Sequence, residues 1–304
     1  MKNLLKMADL STEEIIQILD LADQLKYERK HGIPHPKLAG KSIGLIFQKS
    51  STRTRVSFET GVYQLGGQPL FLSSRDLQIG RGEPVQDTAR VLSRYLNGIM
   101  IRTYKQSEVE DLAKYGSIPV INGLTDYCHP CQVLADLMTI REHYSILEGL
   151  KMCYIGDGDN MANSLIVGGL KTGMKVAVAT PEKYRPAADV LQMASSNKDF
   201  LLTTDPKEAI ADADVVLTDT WISMGMESEK EQRIRDFAGY TVDDELMKGA
   251  KSGAMVMHCL PAYRGYEITE KVFEDHADEI FEEAENRLHA QKAVMVELFA
   301  DKEE

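Results

Sequence analysis

Apolar residues along this chain fall in short runs separated by amphipathic stretches, the alternation that builds parallel sheets with helices on both faces. Ser11 and Glu14 make a capping-box pattern ahead of Ile15, Leu19, Ala22 and Leu25 on one helical face, and Gly32 offers a stop. Strands are predicted at Ile43–Phe47, Gly98–Ile101 and Pro119–Ile121. Ser107 with Glu110 caps the helix between the last two, and Gly116 ends it. A second series of strands is predicted near Met152–Ile155, Lys175–Thr180, Val215–Thr218 and Ala254–Met257, with Asp205-Pro206-Lys207-Glu208 as cap and first turn of another helix. The fold class expected is α/β, two doubly wound domains with parallel sheets. Their seam is placed in the helix Gln132–Tyr144, before the turn-prone Glu148-Gly149. The segment Arg287–Phe299 is apolar on one side (Ala293, Val294, Val296, Leu298) and must dock somewhere.

Ligands of such sheets sit beyond the carboxyl ends of the strands. Polar clusters fall at those ends, at 48–55, 102–106, 122–132, 156–163, 218–225 and 258–264, and their convergence predicts one shared cleft. The densest is Ser51-Thr52-Arg53-Thr54-Arg55, straight after an apolar run. A helix starting there aims free backbone N–H groups and the positive end of its dipole forward. With Arg53 and three hydroxyls added, the place is suited to a phosphate. A capped helix with a solvated basic turn is the plainer reading, but it does not ask for this density of donors. Arg102 ends the strand Gly98–Ile101, where it could reach a second oxygen of the same ligand. His129-Pro130-Cys131-Gln132 opens a helix, and a neutral imidazole there can donate to an oxygen that gains charge.

Gly156-Asp157-Gly158-Asp159-Asn160 has the look of a dinucleotide loop. Met161 stands at the third small position, and no acid ends the next strand, so NAD is rejected. Asn160 can donate and accept toward a carboxylate or ammonium group. Asp219 follows the strand Val215–Leu217 and is placed to pair with an ammonium; Trp221 reads as packing. Glu227–Arg235 reads as a solvated loop or lid. Cys259, in His258-Cys259-Leu260-Pro261, sits where the other clusters meet.

Bulk properties narrow the class. At 304 residues the chain accommodates two domains, and 43% hydrophobic with 27% charged residues suits a soluble protein. A net charge of −12 argues against nucleic-acid partners, so Arg53 and Arg55 must act locally. No apolar run approaches the roughly 20 residues of a membrane span, and the first residues lack a signal-peptide pattern. A cytoplasmic enzyme or binder of small molecules is expected. Cys128 and Cys131 match C-x-x-C spacing but lie deep in the chain, and Cys153 and Cys259 are isolated, so reduced thiols are expected rather than a redox or zinc site.

Taken together, these residues resemble the aspartate/ornithine carbamoyltransferase family over nearly the whole chain. The motifs run in order: Ser51-Thr52-Arg53-Thr54-Arg55, Gln78 with Asp87-Thr88-Ala89-Arg90, His129-Pro130-Cys131-Gln132, Asp219 with Ser223-Met224-Gly225, His258-Cys259-Leu260-Pro261, and Glu285-Asn286-Arg287. The Ser-Met-Gly and His-Cys-Leu-Pro pair points to ornithine as acceptor. The resemblance implies a carbamoyl phosphate domain, 1–134, completed by a C-terminal helix, 286–304, that packs back on it, and an ornithine domain, 135–285. It implies that Ser51, Thr52, Arg53, Thr54 and Arg102 bind the phosphate, with Gln78 reaching in from a neighbouring subunit. His129 and Arg102 would polarise the carbamoyl oxygen, Gln132 and the Leu260 carbonyl would recognise the amide, and Arg287 would complete the pocket. Asn160, Asp219, Ser223 and Met224 would hold the backbone ends of ornithine. A homotrimer or an assembly of trimers is implied, with no cofactor and no metal.

One departure is visible: Asp159 stands where members often have Asn. Cys259, next to Asp219, is our candidate to orient the δ-amine and assist its proton loss, alongside Arg102 and His129 as catalytic residues. The alternatives are a carbamoyltransferase for putrescine or another amine, a thiol-redox protein resting on Cys128 and Cys131, and a two-lobed binding protein without catalysis.

Overall fold

The protein is described from a computed structural model over residues 1–75, 77–78, 82–223 and 225–301. It divides into two compact units, Met1–Met138 with Asn286–Glu304, and Thr139–Glu285. The first unit holds β1 (Ser42–Phe47), β2 (Gln68–Ser73), β3 (Gly98–Arg102) and β4 (Val120–Leu124), all parallel in the order β2-β1-β3-β4. Helices α1 (Thr12–Lys30), α2 (Thr52–Gln64), α3 (Val85–Leu92) and α4 (Gln106–Tyr115) precede or join these strands, and α5 (Pro130–Tyr144) follows them.

The second unit holds β5 (Lys151–Ile155), β6 (Lys175–Ala179), β7 (Phe200–Thr203), β8 (Val215–Thr218) and β9 (Met255–His258), parallel in the order β7-β6-β5-β8-β9. Around them run α6 (Asn160–Lys171), α7 (Ala188–Ala194), α8 (Pro206–Ile210), α9 (Lys230–Asp236), α10 (Asp244–Met247) and α11 (Glu270–Asp275). The last helix, α12 (Ala277–Phe299), ends in the first unit. The expected α/β class, with two parallel sheets and the C-terminal helix on the first, is the one adopted.

Local chemistry explains the elements. Ser11 caps α1 by accepting from Glu14 N–H, and the Glu14 carboxylate returns a bond to Ser11 N–H. The central strands β1 and β3 are buried because helices cover both faces, so they read as continuous apolar runs. The end of α12 packs where β3 begins. A Cβ on Gly98 would stand 2.3 Å from the Phe299 ring, so only glycine allows that approach.

Three expectations change. The cap of α4 is Lys105 rather than Ser107, and Glu108 turns its carboxylate to Gln48 and Thr103 instead. The strands β2 and β7 carry no sequence prediction because they are half-exposed edges, and Pro69 is tolerated in such an edge. The final helix starts ten residues before Arg287, with Asp278 and Glu279 in its first turn.

Candidate active site

In the first sheet, the connection from β1 runs to one side and β3 lies on the other, so the crevice between their carboxyl ends is the switch point. The α2 N-terminus sits there, and Phe47 is in register with Arg102. Ser51 is the N-cap, its Oγ accepting from Thr54 N–H at 3.1 Å. Thr54 is buried, and its Oγ1 accepts from two guanidinium groups, Arg102 Nη1 at 3.3 Å and Arg287 Nη2 at 3.2 Å. Arg53 and the exposed Thr52 complete the helix start.

Arg287 is almost wholly buried in the last helix. It donates to Gln132 Oε1 at 2.6 Å and to Gln291 Oε1 at 3.0 and 2.9 Å from Nε and Nη2. Gln291 in turn donates to Ser57 Oγ at 2.7 Å, and Gln132 Nε2 to Asp136 at 2.8 Å. These amides hold the fork without neutralising it. His129 is buried beside this cluster, and burial first, then Arg287, Arg102 and Arg53, hold its pKa well below the ordinary histidine range. The imidazole is therefore neutral at pH 7 and able to donate a hydrogen bond without adding charge.

Two basic or polar motif residues point elsewhere. Arg55 is exposed, pairs with Glu59 at 3.0 Å and lies 3.6 Å over the Phe71 ring. Gln78 is exposed between β2 and α3, and among the described residues its side chain hydrogen-bonds to none of the cluster. Cys128 and Cys131 are buried and bonded to Asn122, and burial pushes each thiol up to about 12, which suppresses the thiolate that redox exchange needs.

The second sheet reverses between β5 and β8, and its polar loops leave those strands, tied by Thr218 Oγ1 donating to Ile155 O at 2.7 Å. Asp159 caps α6 by accepting from Met161 N–H at 3.2 Å, and Ser223 Oγ lies 3.4 Å from its other oxygen. Asn160 begins α6 beside it. Asp219 is buried, accepting from Thr220 N–H at 2.7 Å and from the Cys259 thiol. Burial raises its pKa, against the lowering pull of His258, Cys259 and Thr220. Met224 lies outside the described residues.

His258 is fully buried, and Nδ1 accepts from Leu260 N–H at 2.9 Å, leaving Nε2–H to donate to Glu267 at 3.1 Å. That bond supports Leu260 at φ +60°, a left-handed conformation uncommon for a branched side chain. Asp219, His258 and Cys259 offer ligand atoms within 4.8 Å of one another, a spacing a metal ion could use, although both His258 nitrogens are already bonded.

Sequence reasoning missed Gln291, Glu267 and Arg233. The i, i+4 spacing of Arg287 and Gln291 was the available signal for the first. Arg233 lies in the stretch that reads as solvated, yet it is buried, ion-paired with Asp157 and donating to Trp221 O at 3.0 Å. Trp221 itself stacks on Phe237 at 5.3 Å and belongs to the core.

Residues 2–142 match the family model "Aspartate/ornithine carbamoyltransferase, carbamoyl-P binding domain", and residues 148–298 match the model of the "Asp/Orn binding domain". An ornithine carbamoyltransferase of Caldicellulosiruptor saccharolyticus is 56% identical, covering 97% of this chain and 98% of its own. Among solved structures, the ornithine carbamoyltransferase of Pyrococcus furiosus superposes with a TM-score of 0.93 at 50% identity, covering 98% of this chain and 97% of that one. The anabolic ornithine carbamoyltransferase of Campylobacter jejuni gives 0.93 at 44% identity over 98% and 99%.

Proposed function

The chain belongs to the aspartate/ornithine carbamoyltransferase family, and on that footing we propose that it transfers the carbamoyl group of carbamoyl phosphate to the δ-amine of L-ornithine, releasing L-citrulline and phosphate. The observation that carries the residue-level reading is the shared Thr54 hydroxyl, with Arg102 and Arg287 converging on it at a helix N-terminus. Three guanidinium groups, Arg53, Arg102 and Arg287, lie around a neutral histidine, and two of them converge on one hydroxyl at a helix N-terminus, an arrangement suited to a doubly charged anion. Ser51, Thr52, Arg53 and Thr54 hold its phosphate. Arg102 and His129 donate to the carbamoyl oxygen as it gains charge, and Gln132 and the Leu260 carbonyl take the amide.

For the acceptor, Asp219 pairs with the α-ammonium, and a cation there restores the ionised form that burial disfavours. Asn160, Ser223 and Met224 hold the carboxylate end. The δ-amine, with a lysine-like pKa of about 10.4, is neutral in only about one molecule in 2,500 at pH 7, which costs roughly 4–5 kcal/mol. Cys259, bonded to Asp219, orients that amine and assists its proton loss. The neutral amine attacks the carbonyl carbon, the C–O bond to phosphate breaks, and phosphate leaves with the electron pair.

The assembly we propose is a homotrimer, with Gln78 lent to a neighbouring copy. Support comes from the first unit's apolar exposure: Leu70 and Phe71 on the open edge β2, with Val56, Tyr63 and Tyr95 on its helices and turns. No helix among the described residues is long and apolar enough to cross a membrane, and four cysteines held as thiols rather than disulfides suit a reducing, cytoplasmic setting.

A citrulline assay with ornithine, putrescine and aspartate compared side by side tests the acceptor. Ornithine should lead by a wide margin; a preference for either rival would overturn the reading of Asp219, Asn160 and Ser223.

A further inference from the structure

The second unit gathers three carboxyl groups on adjacent loops, and only one of them has a cationic partner. Asp157 pairs with Arg233, which also holds Glu229 at 2.9 Å. Asp219 is the ammonium partner proposed above and is bonded to Cys259 and Thr220. Asp159 forms no ion pair among the described residues, and its oxygens see only Met161 N–H and, at 3.4 Å, Ser223 Oγ. Beside the same turn lies Tyr154, 1% exposed, whose hydroxyl finds no hydrogen-bond partner, and a Cβ on Gly156 would sit 3.1 Å from that oxygen. A buried phenol without a partner is rare enough to indicate that a bound molecule completes the place.

We propose that Asp159 is a specificity-determining residue, carrying its proton when an amino acid is bound and using that O–H to donate to the ligand's α-carboxylate. This rests on the reading of Asn160, Ser223 and Asp219 as the amino-acid end of the acceptor site. Asp159 directly precedes Asn160 and touches Ser223, whereas Asp219 takes the ammonium, so its carboxyl falls at the carboxylate end.

The electrostatics support it. Burial, then Asp157 and Asp219, raise the Asp159 pKa well above the ordinary carboxylate range, while Met161 N–H and Ser223 pull it down only in part. The groups facing it are Asp157 and Tyr154 from β5 and its loop, Asp219 and Ser223 from the β8 loop, and Met161 N–H from α6. Arg233 from α9 acts on Asp157 first, and His258, Cys259 and Glu267 act on Asp219. As pH rises and Asp159 loses its proton, it changes from a donor to a repelling charge for an α-carboxylate. For a diamine, whose far end is an ammonium, the same change is attractive. The chain therefore becomes less selective for amino acids as pH rises.

The probes are L-norvaline, which has the amino-acid end without the δ-amine, and putrescine, which has amines at both ends. Each is measured as an inhibitor of citrulline formation by the full-length enzyme between about pH 5.5 and pH 8.5, for the parent chain and for Asp159→Asn. Asparagine keeps the helix cap and a donor but cannot ionise. In the parent, the norvaline Ki should rise relative to the putrescine Ki by on the order of tenfold or more, the scale of one close charge contact in a protein. In Asp159→Asn that ratio should stay flat. Asp159→Ser, another capping residue without charge, should flatten it too, and thermal unfolding checks that both variants fold. Equal pH slopes in parent and Asp159→Asn overturn the proposal while leaving ornithine transfer intact. A parent chain that makes no citrulline from ornithine at any pH sinks both.

Discussion

Replacing Thr54 by valine keeps the side chain's shape and removes one oxygen. Thr54 is 1% exposed, and that oxygen is the acceptor shared by Arg102 at 3.3 Å and Arg287 at 3.2 Å. A hydrogen bond to a charged group contributes about 1.5–3 kcal/mol net, and at these distances each belongs near or below the low end. Losing both removes about 2–3 kcal/mol from the arrangement that aims two cations at one anion. If that aim matters only once ligand charge develops, kcat/KM for carbamoyl phosphate falls roughly 30- to 150-fold. The helix cap is unaffected, because Ser51 bonds the backbone of residue 54 and not its side chain. Steady-state citrulline kinetics, varying carbamoyl phosphate at saturating ornithine, measure the loss. Thr54→Ser, which retains the oxygen, should recover most of it. A valine variant within threefold of the parent, or a serine variant as damaged as valine, would refute the reasoning.

Other outcomes follow from the same geometry. Because His129 is held neutral while an unfolded histidine protonates near pH 6.5, its contribution to stability is present above about pH 6.5 and lost as pH falls below it. Urea midpoints at pH 5.5 and 7.5 should therefore differ less in His129→Gln than in the parent, and an unchanged difference would remove the histidine from this role. Cys259→Ala should cut kcat with ornithine by roughly 100-fold, the scale of losing a proton acceptor, with KM for carbamoyl phosphate within about threefold; unchanged ornithine kinetics would exclude the thiol. Gly98→Ala drives a methyl into Phe299 and should destabilise by about 1–3 kcal/mol in urea unfolding, partly relieved by Phe299→Leu. Full stability in the single variant would show that α12 does not dock as described.

The sequence carried the strands that are buried on both faces and the loops that leave them, since Ile43–Phe47 and Gly98–Ile101 announce themselves as apolar runs and Ser51–Arg55 as a donor-rich turn. Edges were silent: Gln68–Ser73 and Phe200–Thr203 lack the burial pattern that periodicity reads. Within the site, residue types could be named but not their orientation. Arg53 and Arg55 look alike in sequence, yet Arg55 turns away to Glu59 and Phe71. Arg233 was hidden among charges because nothing local distinguishes a guanidinium that will be buried against Asp157 from one left in water. Gln291 becomes functional only through Arg287 and Ser57, the latter 234 positions away, a relation no local window contains.

That distance has a consequence for biosynthesis. The anion cradle begins at Ser51, but its fork, Arg287, leaves the ribosome 233 positions after Thr54, and the amide that steadies it, Gln291, follows later still. A nascent chain can order β2-β1-β3-β4 from residues up to Leu124, yet it has no complete place for the reactive acyl phosphate until Arg287 and Gln291 have emerged. Chains truncated before residue 287 should thus neither sequester the acyl phosphate nor be stabilised by it, and ligand-induced protection from proteolysis would separate chains that carry Arg287 and Gln291 from shorter ones.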